Sequence, residues 1–352
     1  MKIIRLTTLL DFGGQEQQYI SFTENAALHT HEYIFVVLGY GGYASNLIEK
    51  RGFQVLILNQ KFNIKNLKNI FVLYKIFKQE KPDIVHTAAA EANFHGIIAA
   101  KLAGVKKIYA EEIGIANHSK MARFVFRFLY RFTTKVICVS KAVKKHLVEI
   151  EEIKPEKGIV LYNPVSQPKV FDKIPNTTFE IVYVGRLVKV KNVATLIKAV
   201  ASLGKNAFLT IVGEGNEKVN LENLVKNLNI ENKIRFVGFC NEPSKYVSQA
   251  DLFVLPSFSE GFGIAAVEAM YQSVPCLCSN VGGIPEFIID GKTGWLFDPN
   301  NLEELTAKLK LIVMLPKAEL QIVAKEAEEK VISNFTVEKY CTNLEKIYNA
   351  EN

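Results

Sequence analysis

Leu252-Phe-Val-Leu-Pro-Ser-Phe-Ser-Glu-Gly-Phe-Gly-Ile-Ala-Ala-Val-Glu-Ala-Met270 reads as a short apolar strand, a loop with two glycines, and the start of a small-residue helix. Gly261 and Gly263 let a ligand approach the backbone, and a helix beginning near Gly263 presents free N–H groups and a positive dipole end. Glu260 falls just before that helix and Glu268 in its second turn, so two carboxylates flank one amide-lined pocket. Carboxylates accept hydrogen bonds well from sugar hydroxyls and poorly partner phosphates. Read as plain surface residues, Glu268 is a helix charge and Glu260 a first-turn dipole partner.

The same strand–loop–helix unit recurs in both directions. Before it stand the runs Ile181–Val184, Phe208–Val212 and Ile234–Val237, and after it Pro275–Cys278. The first half repeats the pattern with Ile3–Leu6, Ile34–Leu38, Val55–Leu58, Ile84–His86, Lys107–Ala110 and Val136–Val139, and helical stretches such as Phe94–Leu102 fill the gaps. Strands alternating with helices imply parallel sheets with right-handed crossovers, so the fold class is α/β with two doubly wound, Rossmann-like domains facing a cleft. Three prolines within Asn163–Thr178 mark the linker. The expected organisation is an acceptor-side domain over 1–165, a nucleotide-sugar domain over 166–335, and a final helix over 336–352 crossing back to the first domain.

A second loop follows the first strand of the second half: Gly185-Arg-Leu-Val-Lys-Val-Lys-Asn192. Arg186 can fork onto phosphate oxygens. Lys191, a cation at a helix start, opposes the helix dipole unless an anion sits there. Glycine turns also follow the next strands at Gly213 and at Val237-Gly238-Phe239. In the first half Phe12-Gly13-Gly14-Gln15-Glu16 opens a helix without the G-x-G-x-x-G spacing, which weakens a nicotinamide-enzyme reading.

These residues resemble the retaining glycosyltransferases of family 4, essentially end to end and most strongly from Ile181 to Phe297. The E-x7-E pair is Glu260 and Glu268. The G-R-x-x-x-x-K element is Gly185, Arg186 and Lys191. Val281–Glu286, Gly291–Phe297 and a closing Phe335-Thr-x-Glu-x-Tyr segment match the family's ending. The resemblance implies that Glu260 faces the transferred sugar and Glu268 the ribose, with Arg186 and Lys191 neutralising the diphosphate. It further implies backbone amides from Phe262, Gly263 and Ile264, a base-lining segment at Val237, Gly238 and Phe239, donor contacts at Gly213 and Gly261, and a phosphate-side loop at Gly14. Many relatives carry a His where Glu112 stands, so the acceptor-side residues are drawn from Glu91, His95, Glu112 and His118.

Composition narrows the alternatives. Across 352 residues, 49% hydrophobic and 22% charged, no stretch is apolar enough to span a bilayer, and the N-terminus reads as a core strand instead of a signal peptide. Five irregularly spaced cysteines imply buried thiols in a reducing cytoplasm, and no metal site or cofactor is expected beyond a nucleotide-sugar co-substrate. The net charge of +7 is uneven: residues 1–165 carry 23 basic against 14 acidic side chains, the remainder 20 against 22. A basic first half points to an anionic partner, and nucleic acid is disfavoured because no binding motif is present. Within Lys120–Phe132, Arg123, Arg127 and Arg131 recur at helical spacing, with Phe124, Phe128 and Phe132 one residue later. That pattern fits either a helix lying in a membrane interface or a core helix with an arginine edge. The expected activity is transfer of a hexose or N-acetylhexosamine, from a UDP-sugar in preference to a GDP-sugar, to a glycan or lipid-linked acceptor in surface polysaccharide synthesis. The rivals are a sugar-nucleotide epimerase of the same fold and a non-catalytic partner subunit.

Overall fold

A computed structural model describes residues 1–169, 171–174, 177–204 and 206–350. The expected linker includes Val170, Pro175 and Asn176, which lie outside the described residues. The chain divides into two compact units, Met1–Pro164 with Val337–Asn352, and Val165–Thr336.

The first unit holds seven parallel strands: β1 (Lys2–Thr7), β2 (Glu32–Val37), β3 (Gln54–Ile57), β4 (Ile84–Ala88), β5 (Lys107–Glu112), β6 (Lys135–Cys138) and β7 (Gly158–Val160). Their order is β3-β2-β1-β4-β5-β6-β7. The second holds six, β8 (Phe179–Val184), β9 (Ala207–Val212), β10 (Ile234–Gly238), β11 (Leu252–Leu255), β12 (Cys276–Ser279) and β13 (Trp295–Phe297), ordered β10-β9-β8-β11-β12-β13. Every pairing is parallel. β4 and β11 are buried along their whole length, and β11 accordingly reads as an unbroken apolar run and not as an alternating one. β7 and β13 were not anticipated: each is a three-residue edge strand, too short to carry a period.

Strand order reverses beside β1 in the first unit and beside β8 in the second. In such sheets ligands settle beyond the carboxyl ends of the strands at that reversal. In the second unit it lies between β8 and β11, the strands that feed the Gly185–Asn192 and Pro256–Gly263 loops.

The helix Val337–Asn349 packs into the first unit's core, where Tyr340, Leu344 and Tyr348 join Phe22, Phe35 and Tyr109. A polar cluster lies beneath it. Arg5 is fully buried, its Nη2 3.2 Å from Glu111 Oε2 and 3.5 Å from Tyr340 Oη. Gln18 donates to Glu111 Oε1 at 2.6 Å and to Tyr340 Oη at 3.1 Å. His86 Nε2 stands 3.1 Å from Glu111 Oε2, and its Nδ1 is 2.6 Å from Tyr348 Oη. Burial, with Arg5 beside it, pushes His86 down to about 4, so it is neutral near pH 7 and Arg5–Glu111 is the one charged pair of the cluster. Burial alone would raise the Glu111 carboxyl, but His86, Arg5 and Gln18 outweigh it and hold it below the usual range.

Candidate donor site and acceptor-side residues

In the second unit the loops after five successive strands are tied together by their backbones. Gly185 N–H donates to Val212 O at 3.0 Å, Leu187 N–H to Glu214 O at 2.8 Å, and Gly213 N–H to Gly238 O at 2.9 Å. Phe258 N–H donates to Val190 O at 2.8 Å, joining the loops on either side of the strand-order reversal. Two glycines are obligatory here. Gly263, at φ +100°, is the residue from which the helix Ile264–Tyr271 starts. A Cβ on Gly282, at φ +53°, would lie 1.7 Å from the Glu260 carbonyl oxygen, so the loop after β12 presses directly on the Glu260 backbone.

That lattice holds the charged side chains. Lys191, at the end of a 3₁₀ turn (Lys189–Lys191), places Nζ 2.6 Å from Glu260 Oε1, and Ser257 Oγ donates to the same oxygen at 2.7 Å. Both partners are largely buried, with side chains 18% and 10% exposed. The cation that opposes the helix dipole is therefore balanced by a carboxylate brought from 69 residues away. Arg186 is exposed and its guanidinium has no hydrogen bond or ion pair among the described residues; its carbonyl accepts from Tyr183 Oη at 3.0 Å. Glu268 is half-buried on the helix, and no side-chain partner for it is found among the described residues. Burial pushes its carboxyl up to about 7. A desolvated carboxylate without a donor is costly, and it leaves an acceptor ready for hydroxyls from outside.

The remaining positions expected on the donor side follow the neighbouring strands. Gly213 directly follows β9, Gly238 ends β10, and Val237 precedes Gly238 in β10. Phe239 is 49% exposed, whereas the Phe262 ring is core, packed edge-on against Phe287 and Phe335 at 5.4 Å each. Only the Phe262 backbone, with those of Gly261, Gly263 and Ile264, borders the loop lattice.

In the first unit Gly14 is exposed at the start of the helix Gly14–Phe22, after β1. The four acceptor-side candidates separate. Glu91 opens the helix Ala90–Ala103 and accepts from Thr8 Oγ1 at 3.5 Å. Glu112, ending β5, accepts from Tyr130 Oη and from Asn93 Nδ2, and burial raises its carboxyl against those bonds. His118 Nδ1 is 2.7 Å from Glu152 Oε1, and its ring stacks on Phe126 at 4.7 Å. The Glu152 hydrogen bond raises the His118 imidazole, and its charge also acts on Glu112. His95 is fully buried, both ring nitrogens are without a partner among the described residues, and burial holds it at about 4. The structure thus gathers Glu112 and His118 into one polar cluster and closes His95 off from solvent. Sequence reasoning missed Glu152 and Tyr130, whose roles depend on contacts that no local spacing announces.

Comparison with known proteins agrees with this architecture. Residues 12–167 match the family Glycosyltransferase Family 4, and residues 167–330 match Glycosyl transferases group 1. The chain is 28% identical over 310 residues to the Escherichia coli UDP-Gal:alpha-D-GlcNAc-diphosphoundecaprenol alpha-1,3-galactosyltransferase, covering 81% of this chain and 80% of that protein. It is 26% identical to the N-acetyl-alpha-D-glucosaminyl L-malate synthase of Bacillus anthracis, over 98% of this chain and 96% of the other. Among solved structures, Anabaena HepE in complex with UDP and glucose shares the fold with a TM-score of 0.86 at 21% identity, over 99% of both chains. Two parallel Rossmann-like sheets, each half matching one of these families in turn, make the chain a GT-B glycosyltransferase of the family 4 type.

Proposed function

We propose that the protein transfers a hexose or N-acetylhexosamine, with retention of anomeric configuration and without a metal ion, from a UDP-sugar to a glycan or lipid-linked acceptor in surface polysaccharide synthesis. The observation that carries this reading is the set of side chains at the second unit's strand-order reversal: an unpaired guanidinium, a Lys–Glu pair and an unpaired carboxylate on one glycine-built edge. Breaking the sugar–phosphate bond leaves negative charge on the departing diphosphate. Arg186, Lys191 and the amides at the start of Ile264–Tyr271 are placed to stabilise that charge as it develops. Glu260, released from Lys191 when the diphosphate takes the lysine, accepts from the sugar hydroxyls, and Glu268 from the ribose. The UDP preference and the lipid-linked acceptor take support from the galactosyltransferase relative's name. An epimerase on this fold would turn over donor without acceptor, which product analysis of donor alone distinguishes.

The first unit's polar cluster at Glu112 and His118, with Glu91 nearby in the chain, serves the acceptor in this reading, and Lys120–Phe132 attaches the protein to an anionic membrane at the cytoplasmic face. No helix among the described residues is long and apolar enough to cross a membrane. On the helix Lys120–Leu129 the structure turns Phe126 and Leu129 inward and leaves Phe124 and Phe128 exposed.

The test uses the titration of Glu268. Its carboxyl lies at about 7 against an ordinary 4.5, so between those values the unliganded protein holds a proton there that the unfolded chain has lost. Ribose hydroxyls favour the ionised form, so binding expels that proton. UDP affinity, measured calorimetrically, is expected to rise with pH up to about 7 and then level off. In Glu268→Gln that component should vanish, leaving only the titration of the phosphate itself. Chelator should not change UDP affinity. Identical pH profiles in the two proteins, or binding that requires a divalent ion, would refute this assignment.

A further inference from the structure

The crossovers that follow the strand-order reversal in the first unit all run in one direction, from β3 to β4, β4 to β5, β5 to β6 and β6 to β7. Right-handedness puts their helices in one layer on one face of the sheet, among them Lys68–Glu80, Ala90–Ala103 and Lys120–Leu129. The first two pack closely together, and the second also touches the third.

The outer side of this layer is unusual for a water-facing surface. On the first helix Phe71 is 59% exposed, with Leu67 beside it; on the third, Met121 is 73% and Phe124 70% exposed. Cations ride on these rings: Lys75 Nζ lies 4.5 Å from the Phe71 centroid, Lys78 Nζ 5.9 Å from Tyr74, and Lys101 Nζ 5.8 Å from Phe132. The three helices contain only two carboxylates, and both are engaged: Glu80 with Lys2 at 2.6 Å and Glu91 with Thr8. Between the outer helices the middle one is recessed, exposing only Lys101 and Leu102 at its end.

We propose that the first unit lies on an anionic bilayer through two aromatic–basic ridges, Lys68–Glu80 as well as Lys120–Phe132. The proposal rests on the membrane reading above and adds a second anchor to it. Aromatic rings with lysines folded over them suit the headgroup boundary, where the ring enters the apolar layer and the ammonium meets lipid phosphate. Two ridges on one helix layer also fix orientation. The sheet lies parallel to the bilayer, and its carboxyl-end edge, with Glu112 and His118, opens along the membrane surface. A lipid-linked acceptor therefore reaches that edge sideways, its anchor staying in the lipid.

The test is flotation of the full chain with phosphatidylcholine vesicles, alone and with about one third phosphatidylglycerol. Phe71→Glu and Phe124→Glu, both at exposed sites, should each lower partition into the anionic vesicles about fivefold or more, since one basic residue near such a surface contributes about 1 kcal/mol. Asn46→Glu, an equal charge change on an exposed helix of the opposite layer, should leave it unchanged. If Phe124→Glu releases the protein and Phe71→Glu does not, the single-helix reading stands and the second ridge is wrong. If the unaltered protein shows no preference for anionic vesicles, both fall. A protein that is dimeric in solution, becomes monomeric with Phe71→Glu and ignores lipid would make this layer a protein interface and overturn the proposal.

Discussion

Lys191→Ala is expected to reduce transfer about 10- to 150-fold, and Arg186→Ala at least tenfold, with little change in folding. A charge-assisted hydrogen bond contributes about 1.5–3 kcal/mol, and 1.4 kcal/mol is about a factor of ten in rate. Lys191 should cost more because it has two partners. In the unliganded protein it neutralises Glu260, whose side chain is 10% exposed, and removing it leaves that carboxylate with Ser257 alone. Arg186 is exposed and makes no side-chain bond among the described residues, so its replacement subtracts only what it gives the ligand. Steady-state kinetics in donor, with circular dichroism as the folding control, would report both. Near wild-type rates for the two variants would remove this loop from the reaction.

The second large effect falls on stability. Glu111→Gln leaves the Arg5 guanidinium fully buried without a counter-charge, with Nε and Nη1 already without a partner among the described residues. Breaking a buried pair from one side typically costs about 3–5 kcal/mol. The loss should be confined to the first unit. Trp295, the single tryptophan, sits on β13 of the second unit and gives an internal reference. Hydrogen exchange at β1, β4 and β5 amides should accelerate in Glu111→Gln while the tryptophan unfolding transition stays put. Arg5→Met combined with Glu111→Leu should recover part of the loss, because paired replacement by apolar side chains leaves no buried charge. Unaltered exchange in Glu111→Gln would show that the cluster does not hold the C-terminal helix in place. The paired state also has a pH signature. The Glu111 carboxyl is held low, so its stabilisation is present above the ordinary carboxylate range and fades as pH falls through the depressed value.

These two cases divide what the sequence could tell from what it could not. Glu260, Gly263 and Glu268 share one strand–loop–helix unit, so a spacing of eight residues was enough to place them together. The parallel sheets were legible for a similar reason, since each buried strand is a local apolar run. The Lys191–Glu260 pair spans 69 residues, the Arg5–Glu111 pair 106, and the Tyr340 contact to Arg5 335. Such pairings follow from strand order, which periodicity does not fix. Arg5 illustrates the limit: the N-terminal run reads as a core strand, but only its pairing with β2 and β4 makes that strand central and buries the charge within it. On Lys120–Phe132 the row Phe124, Phe128 and Phe132 competes for the core with Phe126 and Tyr130 at the same helical spacing, and packing selects Phe126 and Tyr130.

The division of labour between the two carboxylates of the second unit is the claim on which the donor site stands. Contacts made equally in ground and transition states change binding, and contacts that strengthen in the transition state change turnover. Calorimetry with free UDP and kinetics with a UDP-sugar, on Glu260→Ala and Glu268→Ala side by side, separate the two directly. The expected result is that Glu268→Ala weakens UDP and donor binding alike, while Glu260→Ala keeps UDP affinity nearly intact and loses transfer. Loss of UDP binding in Glu260→Ala with retention in Glu268→Ala would reverse the roles. No change in either variant would contradict a donor site at this edge.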